Sequence, residues 1–145
     1  MGERMSGIFL CLTAGMVGLG LAVQAGTANA TPVRLDEPTL ACAIDYDWKQ
    51  VEPSRFLSQV KIRNTGAAVI NAWTLRFTLP EPQRVVLYRN ARFETFSGPI
   101  VAHNIESNGV VEPGNTVAVG FHANGTGMVI HDFTVNGTAC AAADE

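Results

Sequence analysis

The sequence predicts an all-β domain: an antiparallel β-sandwich, immunoglobulin-like or jelly-roll-like, of about eight strands, closed by one terminal disulfide and preceded by a signal peptide. Three observations predict the fold. After residue 40, apolar residues recur at every second position, as they do in strands with one buried face. Turn-forming clusters return roughly every 10 residues, the spacing of short antiparallel strands. No stretch of that region sustains the 3.6-residue period of an amphipathic helix.

The chain has 145 residues, with 10 Lys or Arg against 13 Asp or Glu, for a formal net charge of −3. Arg4 precedes an apolar run from Ile8 to Val23 that Gly15, Gly18 and Gly20 interrupt. Ala28-Asn29-Ala30 then fits the small-x-small pattern of a signal-peptidase site. An uncleaved anchor is the rival reading. A run of about 16 residues is short for a bilayer core that needs about 20. We therefore expect residues 1–30 to be a signal peptide, 31–39 a flexible lead-in, 40–140 the sandwich and 141–145 a frayed tail. Export implies a secreted, extracellular protein of bacterial type, with no membrane association after cleavage. The remaining 115 residues suit one domain and leave no room for two. With 47% hydrophobic and 16% charged residues, the chain is no disordered polymer. A net-acidic sequence without a Lys/Arg run lacks the footprint of a nucleic-acid binder.

Leu40, Cys42, Ile44, Tyr46 and Trp48 alternate with small or acidic residues and form the first strand. Glu52-Pro53-Ser54 turns the chain into a second, with Phe56, Ser58, Val60 and Ile62 on one face, ending at Asn64-Thr65-Gly66. Trp73, Leu75, Phe77 and Leu79 face one way until Pro80 stops that strand. Shorter strands are expected at 85–89, 92–96 and 100–103. Val117, Val119 and Phe121 follow the Pro113-Gly114 turn, and 130–135 closes the set. Cys11 leaves with the signal. Cys42 and Cys140 remain, an even number in an oxidising compartment, which favours a disulfide between the ends of the domain. In the loop-closure model it contributes about 4–5 kcal/mol.

Catalysis finds little support. No nucleophile elbow, zinc-binding helix or phosphate-cradling loop is present. His131-Asp132 are strand neighbours and point to opposite faces. Asp45 and Asp47 read as a solvated outer face. Neither metal nor cofactor is expected. Binding is the better class, and exposed aromatic rings are its usual instruments on extended sugar chains, because a planar ring covers apolar C–H surface at low entropic cost. Tyr46, Trp73 and Phe121 read as structural core. Trp48 stands at a strand end, either core edge or exposed platform. Tyr88, beside Arg89 and Asn90, could face either way.

With these residues laid out, the stretch from Cys42 to Cys140 resembles carbohydrate-binding module family 2, the bacterial cellulose-binding domains. The likeness rests on Cys42, Tyr46, Phe56, Asn64-Thr65-Gly66 and the segment from Ile70 to Pro80 around Trp73. It continues in Asn90-Ala91, Ser97-Gly98, Asn104, Asn108-Gly109, Pro113-Gly114, Gly120-Phe121 and Phe133 to Gly137. The resemblance implies a sandwich whose flat face bears three exposed tryptophans. Here Val51 stands near the first place, with Trp48 three residues earlier, Tyr88 or Arg89 takes the second, and Ser107 the third. The implied function is non-catalytic binding of a cellulose- or chitin-type polysaccharide or oligosaccharide, weakened by the depleted platform. Trp48, Tyr88, Arg89 and Asn108 are the candidate contacts. The alternative function is a secreted interaction β-sandwich that reuses the scaffold to bind a protein or cell-envelope component, with a secreted hydrolase as a further partner, and a small glycoside hydrolase is the weakest alternative.

Overall fold

The computed structural model describes residues 39–143; the expected signal peptide, the lead-in up to residue 38 and residues 144–145 lie outside them. Two five-stranded sheets face one another. The first has the order β12-β1-β2-β9-β5, comprising Ala141–Ala142, Cys42–Glu52, Arg55–Asn64, Thr116–Asn124 and Val85–Arg89. The second has the order β11-β10-β4-β7-β6, comprising Thr138–Ala139, Thr134–Val135, Thr74–Thr78, Pro99–His103 and Arg92–Phe93. A two-stranded ribbon, β3 (Ile70–Asn71) with β8 (Val110–Val111), contributes the buried Ile70 and Val111 to the core. Among the described residues there is no α-helix, only a single 3-10 turn at Glu106–Asn108.

The alternation read from the sequence is the burial pattern observed. Cys42 and Ile44, then Phe56, Ser58, Val60 and Ile62, point inward from paired positions of β1 and β2. Leu75 and Phe77 answer them from β4. Trp73, Phe56 and Phe121 are wholly buried. A buried indole N–H needs an acceptor, and Trp73 Nε1 donates to the Asn108 carbonyl at 2.7 Å. Aromatic rings form a continuous chain through the core: Tyr46 on Phe133 at 5.4 Å, Phe133 on Phe77 at 5.2 Å, and Phe77 stacked on Phe121 at 5.4 Å. Phe93 and then Tyr88 extend it to the far edge. Tyr46 is half-buried. Its hydroxyl pairs with Ser58 at 3.0 Å, and burial pushes its pKa up against the smaller opposing effect of that bond.

The Asn64-Thr65-Gly66 turn is held by a fully buried amide. Asn64 donates to the carbonyls of Ala68 and Val111 at 2.8 Å and accepts from the Gly66 N–H. Gly66 has no alternative residue, because a β-carbon there would stand 2.7 Å from the Thr39 carbonyl oxygen. Cys42 and Cys140 form the expected disulfide, with Cα atoms 4.7 Å apart across a sequence separation of 98.

Three features differ from expectation. There are twelve strands among the described residues, six of them only two residues long. The reason is that side chains take over ladder bonds. Asp132 accepts from the amide and hydroxyl of Thr78, so the expected strand over 130–135 shrinks to Thr134–Val135. The Thr95 hydroxyl accepts from Val101 N and donates to the Pro99 carbonyl, which cuts the expected 92–96 strand to Arg92–Phe93. Finally, Ala141–Ala142 are not frayed. They run parallel to Ala43 and Ile44, and Ala143 N donates to the Ile44 carbonyl. The disulfide immediately before them holds this segment at the sheet edge.

Candidate binding surface

The outward residues of the first sheet fall into rows dictated by register. One row reads Lys49, Leu57, His122, Leu87; the next reads Asp47, Gln59, Gly120, Arg89; a third begins Asp45, Lys61, Ala118. Two shallow depressions lie on this face. One, of about 390 Å³, is lined by Asp47, Trp48, Lys49, Leu57 and Gln59. The other, of about 310 Å³, is lined by Leu57, Leu87, Tyr88, Arg89, Gly120 and His122. They share Leu57, so together they form one strip across four strands, spanning three strand spacings or ~14 Å.

A β-bulge decides the far end of that strip. The register between β5 and β9 shifts between Val85 and Leu87. Val85 points inward, the extra residue follows, and Leu87 and Arg89 then face outward beside His122 and Gly120. Simple alternation from Val85 would have placed them on the opposite side. Tyr88 consequently has inward parity. It packs on Phe93 at 5.0 Å and Phe96 at 5.9 Å, yet stays 46% exposed because β5 is an edge strand. Trp48 also has inward parity, opposite Ser58, and lies at the other margin. Its six-membered ring rests against the Gly127 backbone, where an added β-carbon would meet Cε3 at 2.1 Å. Gln50 fixes that contact by accepting from Gly127 N and donating to the Gly125 carbonyl.

Of the four sequence candidates, Trp48, Tyr88 and Arg89 border the strip, the first two at opposite edges and Arg89 on its outer face. Asn108 does not line it. Both ends of its amide are occupied internally, Oδ1 accepting from Ile105 N and Nδ2 donating to the Asn90 carbonyl at 2.7 Å. It therefore positions the turn next to Arg89. Leu57, Gln59, Leu87 and His122 were not singled out by sequence reasoning. Only strand register brings them together, although the outward parity of Leu57 and Gln59 in an alternating strand was readable.

Polar groups on the strip are largely free. Among the described residues, Arg89 has no carboxylate within 4.0 Å and Gln59 no side-chain hydrogen bond, while His122 Nδ1 is buried without a partner. Gly120 leaves bare backbone beneath Arg89; a β-carbon there would stand 2.9 Å from Arg89 Nε. Lys61 pairs with Asp45 at 2.6 Å on the third row, which raises the lysine pKa.

The outer face of the second sheet holds the arrangement closest to a catalytic relay. Thr74 Oγ1 lies 3.1 Å from His103 Nδ1, and His103 Nε2 lies 2.7 Å from Glu94 Oε2. The histidine bond holds the Glu94 carboxyl below its usual range. These groups sit on the outer face of that sheet, with Glu94 exposed and His103 partly so. Among the described residues no cluster of His, Cys, Asp or Glu could hold a metal ion.

Comparison with known proteins places the fold. A family model described as "Cellulose binding domain" matches residues 42–140. Exoglucanase B of Cellulomonas fimi is 35% identical over 125 residues, covering 81% of this chain and 11% of that protein. The chain thus spans about a tenth of that relative's length. The solution structure of the cellulose-binding family 2 carbohydrate binding domain from ScLPMO10C superposes with a TM-score of 0.50 at 25% identity, covering 62% of this chain and 88% of that one. The chitin-binding domain of Chi18aC from Streptomyces coelicolor shares the fold, with a TM-score of 0.58 at 23% identity over 69% of this chain and 94% of that one.

Proposed function

The chain belongs to the family of cellulose binding domains, and from that premise we propose that it is a secreted, non-catalytic module that adsorbs to polysaccharide through the outer face of its first sheet. The observation that carries the reading is the strip from Asp47 and Trp48 to Arg89 and Tyr88, in which apolar Leu57 and Leu87 alternate with polar side chains that have no side-chain partner among the described residues. A sugar chain offers the same mixture, apolar ring faces with hydroxyls at their edges. Leucine covers a ring face less well than an indole, so adhesion is weak. Two or three missing stacks of about 1 kcal/mol each cost about one and a half to two decades of affinity.

Several features support a non-catalytic reading. The carboxylates of Asp45, Glu52, Glu94 and Asp132 are engaged with Lys61, Arg55, His103 and Thr78, respectively. The strip is shallow and open. Export is supported by the small-residue cleavage pattern at Ala28-Asn29-Ala30 and by the disulfide.

The test is retention of the purified protein on insoluble cellulose, chitin and xylan, beside an unrelated acidic protein. Retention above that control on at least one polymer is expected. Trp48→Ala and Tyr88→Ala should each reduce it while the thermal transition stays cooperative. Retention no greater than the control's on all three polymers overturns the reading.

A further inference from the structure

We infer that the strip selects acidic polysaccharide, a glycan chain bearing carboxylates such as a polyuronate, over neutral glucan or chitin; this rests on the glycan-binding reading above. The outward positions of the first sheet carry Lys49, Arg55, Lys61, Arg63 and Arg89 against Asp45, Asp47 and Glu52, a positive excess in a chain whose net charge is −3. Two of these cations are already paired, Lys61 with Asp45 and Arg55 with Glu52. Among the described residues that leaves Lys49, Arg63 and Arg89 facing one unpaired carboxylate, Asp47.

Arg89 is the centre of this excess. Asp47 shares its row but stands across two intervening strands, ~14 Å away, beyond the ~8 Å over which salt screens exposed charges. The Arg89 side chain lies over the bare backbone of Gly120, with Gln59 next in that row and Leu87 two residues before it on the same strand. A guanidinium presents a planar fork of donors that matches a carboxylate two bonds at a time, and its flat face covers apolar surface as well. Gln59 adds an amide donor in the same row, without a side-chain hydrogen bond among the described residues. The cations of the other sheet are different, since Arg76 and Arg92 share the field of Glu94. The strip is therefore rich in unanswered donors and poor in acceptors, the complement of an anionic sugar.

Affinity electrophoresis in native gels tests this with two soluble probes of one backbone, polygalacturonate and fully methyl-esterified polygalacturonate, in which the charge is masked. The acidic polymer should retard the protein at least about tenfold more strongly. The difference should shrink as salt rises from about 20 to about 200 mM. Arg89→Gln should abolish the preference, Arg89→Lys should recover part of it, and Arg92→Gln on the opposite sheet should leave it intact. Equal retardation by both polymers, retardation by the ester alone, or a preference that survives Arg89→Gln overturns the inference while the glycan-binding reading stands. No retardation by either polymer, with adsorption to cellulose, chitin or xylan, overturns the inference alone. Failure on every polymer overturns both.

Discussion

The outer faces of the two sheets are built from similar residues but differ in how those residues are used. On the second sheet, polar side chains are spent on one another and on the backbone. Thr74, His103 and Glu94 form a chain, Asp132 holds Thr78, and Thr95 stands in for a strand neighbour. On the first sheet, Arg89, Gln59 and His122 sit in a row-by-row array with leucines and make no such bonds among the described residues. A face whose groups are satisfied internally contributes to stability and offers little to a ligand. A face that leaves donors and apolar side chains open contributes little to folding and keeps its interactions for a partner. Stability and binding should therefore map to opposite sides of the molecule.

The largest expected effect tests the margin where the two roles meet. Gly127→Ala drives a methyl into the Trp48 ring, and overpacking of this kind costs about 1–3 kcal/mol. Urea denaturation should show that loss, and the indole should swing outward with red-shifted emission against the buried Trp73. Unchanged emission and stability would mean that Gly127 does not hold Trp48.

Asp132→Ala removes two bonds to Thr78 on the second face. A loss of about 1–2 kcal/mol is expected, with retention on polysaccharide unchanged. Reduced retention in a stable variant would break the division between faces. Leu87→Ser is the converse. The side chain is 57% exposed, so stability should stay within about 0.5 kcal/mol. Retention should fall about fivefold as apolar contact is lost. A variant that binds fully and unfolds more easily would reverse the assignment.

The smallest effect is a pH dependence. The Glu94 pKa is lowered in the folded protein by its bond to His103, so the unfolded state binds that proton more readily. Its contribution is therefore present above the ordinary value of 4.5 and disappears as pH falls through the lower folded value. Glu94→Gln should be slightly less stable than the wild-type protein at pH 6, and the difference should vanish at low pH. A difference that grows on acidification would contradict the assigned direction.

Much of the architecture was readable from the chain. The period-2 runs named the inward residues of β1, β2, β4 and β9, and the two cysteines left after the expected signal peptide named the disulfide. The order of motifs from Cys42 to Cys140 named the family. Strand lengths were less readable, because Thr95 and Asp132 replace ladder bonds with side-chain bonds that depend on partners far along the chain. The site was legible only in part. Arg89 was found. Tyr88 turned out to be a rim residue packed on Phe93 and Phe96, and Asn108 a brace for the Asn90 turn.

The sequence by itself determined which residues of β1, β2, β4 and β9 face inward and where the chain must turn, because burial parity in a regular strand and turn chemistry are local properties. Tertiary structure alone decided which way Leu87, Tyr88 and Arg89 point and which polar groups are left unpaired. One extra residue in the β5 bulge reverses parity, and a hydrogen-bond partner is fixed by the neighbouring strand, which can lie dozens of residues away.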